Sequence, residues 1–203
     1  MSAYQQLVNT YKTNPNKYKK SSEKIRHDKK ITKIVVRQNG LLLQFASDEL
    51  KNNCEIVMTA VESNPLALQY ASDELKDDCI IVMMVVENNP LALQFASDEL
   101  RNDYEIVMIA VENDGIALQY ASDELKNNLD IVTTSVESNA LALQYASDEL
   151  KNNRDIVMIA VESDTNTLQY ASNKLKNDSE IVMIVMKNNN EDVMRLLKRM
   201  KLD

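Results

Sequence analysis

The chain has 203 residues, 44% of them hydrophobic and 27% charged, with a formal net charge of −8, two glycines, three prolines, two cysteines and no tryptophan. So little glycine and proline excludes a collagen and a Gly/Pro-rich disordered chain, and leaves an all-β sandwich short of hairpin turns. The longest apolar run, Cys79 to Val86, has eight residues, far below the ~20 that span a bilayer. The opening MSAYQQLVNTYK has no apolar signal segment, so a cytoplasmic protein without membrane contact is expected.

The first 40 residues are basic: ten lysines and arginines stand against Glu23 and Asp28. They read as an N-terminal cap of degraded repeats. Gln6 to Pro15 resembles the second half of a block. In the block that follows, Ser21-Ser22 align with the later Ala-Ser pair, Ile25 with the later Leu, and Ile31 and Val36 with the second apolar run.

Residues 41–190 are six tandem blocks of 25 residues that need no gap, from LLLQFASDELKNNCEIVMTAVESNP to NTLQYASNKLKNDSEIVMIVMKNNN. Each block is predicted to hold two short helices. In the second block the first runs from about Leu66 to Leu75, with Ala67, Leu68, Ala71 and Leu75 on one face. Asn64 is placed as its N-cap and Pro65 at its first position, where no N–H is needed. The second helix runs from about Cys79 to Glu87 after the capping pair Asp77-Asp78, with Ile81, Val82, Val85 and Val86 on one face. An Asn or Asp closes every block, a residue type that both stops one helix and caps the next. Residues 191–203 read as a C-terminal capping helix, with Val193, Leu196 and Met200 apolar.

A competing reading makes the Ile/Val runs strands of a leucine-rich horseshoe. That fold's asparagine ladder is missing, and ALQYASDELK has strong helix propensity. Helices of ~10 residues do not stand alone in water. Stacking must bury their apolar faces, so the predicted fold is all-α: an α-solenoid of stacked two-helix repeats. The tandem pattern ALQYASDELKND-x-EIV resembles a family of unknown function. That family's helical repeats are abundant in giant viruses of amoebae and also occur in protists and some amoeba-associated bacteria. The resemblance implies the fold and a biological context, and no catalytic residue.

Counting residues argues against an enzyme. His27 is the lone histidine, so no metal pair and no Ser-His-Asp or Cys-His set is expected. Two glycines cannot build a phosphate-cradling loop. No cofactor and no metal is expected. The Asp-Glu pairs at 48–49, 73–74, 98–99, 123–124 and 148–149 repeat too often for an active site and read as a solvated ridge. Cys54 and Cys79, one period apart, are expected to be free thiols and small half-buried fillers, because stacked repeats hold equivalent positions ~9–10 Å apart.

A helical wheel turns Ile106, Val107, Ala110 and Val111 inward and Glu105, Met108, Ile109 and Glu112 outward. Repetition extends this outer face to Glu62, Met83, Glu87, Glu137, Met158 and Glu162. Such an acidic, Met-containing face suits a basic or amphipathic protein partner, or its methionines pack against the next repeat. The Gln column from Gln44 to Gln169 reads as Gln–Asp helix pairs or as amides offered to a partner backbone. In the head, Tyr4, Tyr11 and Tyr18 interleave with Lys12, Lys17, Lys19, Lys20, Lys24, Arg26, Lys29, Lys30 and Lys33, a composition that can hold single-stranded nucleic acid. The expected function is a non-enzymatic scaffold for protein–protein interaction. The alternatives are a nucleic-acid- or translation-associated adaptor working through the head, and a viral structural or filament component.

Overall fold

The computed structural model describes residues 2–188. Among them every regular element is helical and no strand occurs, so the Ile/Val runs are helices. The long helices are α1 (Ala3–Thr13), α2 (Lys29–Gln38), α3 (Cys54–Ser63), α4 (Cys79–Asn88), α5 (Tyr104–Asn113), α6 (Leu129–Ser138) and α7 (Arg154–Ser163). Residues 179–188 are helical one period further on. The capping helix expected over 191–203 lies outside the described residues.

Each long helix starts on a side-chain cap. The oxygens of Asn53, Asp78, Asn128 and Asn153 accept the N–H of Ile56, Ile81, Ile131 and Ile156, satisfying donors that the helix itself leaves open. The block-closing residue acts at both ends, as expected, at Asn39, Asn64, Asp114, Asn139 and Asp164, while the Asn89 side chain makes no such cap. The Asn64 backbone N–H donates to the Ala60 carbonyl at 2.9 Å, closing α3. Its side-chain oxygen accepts from Leu66 N at 3.0 Å, opening the next element.

The helix expected over Leu66 to Leu75 is two pieces. A 3-10 helix spans Pro65–Tyr70 and a single α-turn spans Asp73–Lys76. Between them Ala71 and Ser72 are extended, with φ/ψ of −66°/162° and −64°/160°. An uninterrupted helix would send the Ser72 N–H to a carbonyl of its own helix. It donates instead to Lys51 O of the preceding repeat at 3.0 Å, while the Ser72 hydroxyl donates to Asn52 Oδ1 at 2.6 Å. The same backbone bond recurs from Ser47 to Arg26, Ser97 to Lys76, Ser147 to Lys126 and Ser172 to Lys151. A repeat is therefore a 3-10 helix, one helical turn and a ten-residue α-helix.

By contact density the chain divides into two compact units, Met1–Ile106 and Val107–Asp203. In the first, the 3-10 helices Gly40–Phe45, Pro65–Tyr70 and Pro90–Phe95 pack side by side, and α2, α3 and α4 stack in a second layer. In the second, Gly115–Tyr120, Ala140–Tyr145 and Thr165–Tyr170 form the one layer, with α6 beside α7 in the other. The core lies between the layers of each unit. Ala67, Leu68, Ile81, Val82, Val85 and Val86 are all at most 1% exposed in the first, as are Ala142, Leu143, Ile156, Val157, Ala160 and Val161 in the second. The fold is an all-α repeat solenoid.

The basic head follows the same plan: Pro15–Lys20, Glu23–Arg26 and α2 reproduce the three elements of a repeat. Tyr18 stands where later repeats carry Leu43 and Leu68, and Thr32 where they carry Val57 and Val82. Both are 0% exposed. Their hydroxyls satisfy each other at 2.6 Å, so a polar pair replaces an apolar one without leaving an orphan. Burial raises the Tyr18 phenol above its ordinary pKa, against the lowering effect of that hydrogen bond.

Candidate partner-binding face

Positions one, five and nine of a ten-residue helix fall on one side. In α3 these are Cys54, Met58 and Glu62; in α4, Cys79, Met83 and Glu87; in α6, Leu129, Thr133 and Glu137; in α7, Arg154, Met158 and Glu162. Tyr104, Met108 and Glu112 complete the set on α5. The inward face expected for α5 is as drawn from the wheel, with Ile106, Val107, Ala110 and Val111 at 0% exposure.

Met58, Met83, Met108 and Met158 are half-buried and Met183 is exposed, so the column is partly packed and partly open. Glu62, Glu87, Glu105, Glu112, Glu137 and Glu162 are exposed and carry no ion pair among the described residues. Cys54 and Cys79 are free but exposed rather than half-buried. As first residues of their helices they sit outside the packed faces, each Sγ 3.6 Å from the methionine sulfur four residues on.

Glu55, by contrast, is paired. Lys29 Nζ lies 2.6 Å and Lys33 Nζ 2.5 Å from its two oxygens, a clamp from α2 onto α3. The Lys29 and Lys33 hydrogen bonds pull the Glu55 carboxyl from 4.5 down to about 2. In the second unit Arg154 reaches forward in the same way, pairing with Glu180 and, at 3.7 Å, with Asp178. Asp178 is held below its ordinary range first by the backbone N–H of Ile181. Between α6 and α7 no ion pair of this kind occurs among the described residues. Leu129, Asp130, Thr133, Thr134, Asn153, Asp155, Ile156 and Ile159 line an open groove of about 330 Å3 there. These cross-repeat ion pairs were not anticipated. Reading one column down the blocks shows their signal: Lys29 and Lys33 give way to Cys54 and Met58, and to Leu129 and Thr133.

The head differs from its sequence reading at Tyr11, Tyr18, Arg26, Lys29 and Lys33. Tyr11, expected as a stacking group, is 7% exposed; its hydroxyl meets Ser21 Oγ at 2.7 Å and its ring packs edge-on against Tyr18. The buried ring offers no face to a base. Arg26 is half-buried and donates to the Lys19 carbonyl at 3.1 Å. Lys33 is half-buried and, with Lys29, is committed to Glu55. Lys17, Lys19, Lys20 and Lys24 are exposed, and Lys30 lies 5.9 Å from the Tyr4 ring centroid.

Gln169 is exposed, and the other five glutamines of the column are tied to their own element. Gln44, Gln69, Gln94, Gln119 and Gln144 each donate to the carbonyl three residues back, tying down their own 3-10 helix. The acidic ridge is solvated, with exposed pairs such as Lys51–Asp48 and Lys76–Asp73 at 3.5 Å; such pairs contribute little. His27 is exposed. Among the described residues no cluster of three His, Cys, Asp or Glu groups is placed to hold a metal ion, and no helix is long and apolar enough to cross a membrane.

No curated protein and no solved structure matches the chain. One family does, the domain of unknown function DUF4116, over residues 10–51, 28–76, 78–126, 128–174 and 153–198. The matches from 28, 78 and 128 begin two periods apart, and that from 153 begins one period later. The family's module is thus a pair of these repeats, readable in either register. With these matches covering most of its length in tandem, the chain belongs to the DUF4116 family.

Proposed function

We propose that this protein is a non-enzymatic repeat scaffold that binds a basic, amphipathic segment of a partner protein on the outer face of its long helices. One observation carries the reading: each unit presents exposed glutamates that form no ion pair among the described residues, beside half-buried methionines in the first unit and at Met158 in the second. In the first unit these are Met58 with Glu62 and Met83 with Glu87. In the second they are Met158 with Glu162, and Thr133 with Glu137 where the methionine is replaced. Methionine adapts to irregular apolar side chains, and the acids select a basic rim and speed association.

The test is a titration with a fluorescein-labelled, helix-forming peptide of leucine and lysine, read by fluorescence anisotropy. Reversing Glu112, Glu137 and Glu162 to Lys together should weaken binding about tenfold or more at low salt while circular dichroism stays unchanged. Unchanged affinity in a folded variant would refute the reading.

A second reading has one specific observation behind it. Lys17, Lys19, Lys20 and Lys24 are exposed together with no ion pair among the described residues. They suit phosphate, without the stacking that a buried Tyr11 cannot supply. Binding of a single-stranded oligonucleotide would then fall steeply with salt and vanish on changing these four to Gln; salt-independent binding would rule this out.

A further inference from the structure

The groove between α6 and α7 is the same structural step as the contact between α2 and α3, displaced along the repeat. In that earlier step Lys29 and Lys33 extend from the one helix and close on Glu55 at the start of the next. In the later step Leu129 and Thr133 occupy the two lysine positions, and Asp155 occupies the position of Glu55. The long cationic side chains are gone, the acceptor carboxylate remains, and an open volume of about 330 Å3 stands in their place. Asp130 adds a second carboxylate to its wall. Arg154, the nearest cation in sequence, points forward to Asp178 and Glu180 and does not answer Asp155.

We infer that this groove receives a lysine or arginine side chain of the partner segment, with Asp155 and Asp130 holding the cation and Leu129, Ile156 and Ile159 taking its aliphatic stem. The inference rests on the reading of the outer face as a protein-binding surface, and adds to it a defined pocket and a defined side chain. The chemistry is that of the head. A long amphipathic side chain can lay its methylenes along apolar surface and its charge against a carboxylate, and Lys29 and Lys33 set their charges against Glu55 within the chain. Leu129 is 53% exposed, so the apolar floor is open to an incoming stem. Two carboxylates repel phosphate, which favours a protein over a nucleic acid as the occupant.

The same labelled leucine–lysine peptide tests the pocket. Asp155→Asn together with Asp130→Asn should weaken binding about fivefold or more, whereas Asp123→Asn with Asp148→Asn, which remove equal charge from the exposed ridge, should leave it unchanged. A variant carrying both Leu129→Lys and Thr133→Lys supplies the missing cations internally. It should fold as the parent does, lose peptide binding, and show by NMR an Asp155 carboxyl lowered as that of Glu55 is. Peptide binding by this double-lysine variant at parental affinity would overturn the inference. So would an equal loss from the ridge variant. If reversing Glu112, Glu137 and Glu162 weakens binding but the groove variants do not, the pocket is refuted and the wider face stands. If the parent protein does not bind the peptide, both fall.

Discussion

Tyr18 and Thr32 show how one residue position answers another across the core. Removing one hydroxyl, in Tyr18→Phe, leaves the other buried without a partner, which should cost about 1–3 kcal/mol in chemical denaturation. Changing both to the residues of the later repeats, Tyr18→Leu with Thr32→Val, removes donor and acceptor together and should recover most of that loss. Additive losses would show the pair to be independent. Glu55 gives a second prediction, with the sign set by its depressed pKa. Its folded value lies below its unfolded one, so the clamp's stabilisation is fully present above about 4.5 and is lost as pH falls through about 2. The difference in melting temperature between the parent and Glu55→Gln should therefore be largest near neutral pH and shrink across that acid window. A difference that grows on acidification would contradict the clamp.

At the scale of the element, the short pieces of the repeat depend on their neighbours more than on their own propensity. Ser147 caps the turn after it, its oxygen accepting Leu150 N at 3.2 Å, and its hydroxyl donates to Asn127 of the preceding repeat at 2.5 Å. Ser147→Ala removes both and should cost about 1–2 kcal/mol, with hydrogen exchange accelerating in the flanking turn before α7. The opening residue of a 3-10 helix is constrained by the next long helix. A Cβ added at Gly115 would lie 2.0 Å from the Ser135 carbonyl oxygen. Gly115→Ala should therefore destabilise by about 1–3 kcal/mol through overpacking, even though its backbone angle is open to any residue. A neutral result in thermal denaturation would mean that α6 gives way freely.

At the scale of the molecule, stability in a repeat array is a sum of similar modules and similar interfaces. Removing one full period, residues 128–152, rejoins equivalent positions and should leave a cooperatively folding helical protein with a lower melting temperature. Removing half a period joins a 3-10 segment to a long-helix position and should abolish the cooperative transition in circular dichroism. Equal damage from both deletions would show that the period is not the folding module. The family matches, which begin at either of two successive periods, accord with modules that accept the same neighbours on each side.

Periodicity alone determined that this chain is an all-α repeat, where its long helices begin and end, and which of their faces is buried. The reason is that Ile106, Val107, Ala110 and Val111 recur at helical spacing in block after block, and only stacking hides them. The alternating caps were legible for the same reason, since Asn64 does its two tasks within its own stretch of chain. Three things waited on the tertiary structure. The predicted first helix breaks at Ala71 and Ser72 because the Ser72 N–H finds Lys51 in another repeat, and propensity scales describe one helix at a time. Tyr11 turned inward because its partners, Ser21 and Tyr18, come from a turn that only folding brings beneath it. The Lys29–Lys33–Glu55 clamp, and the open groove at Leu129 and Thr133 that mirrors it, exist only once neighbouring helices lie side by side.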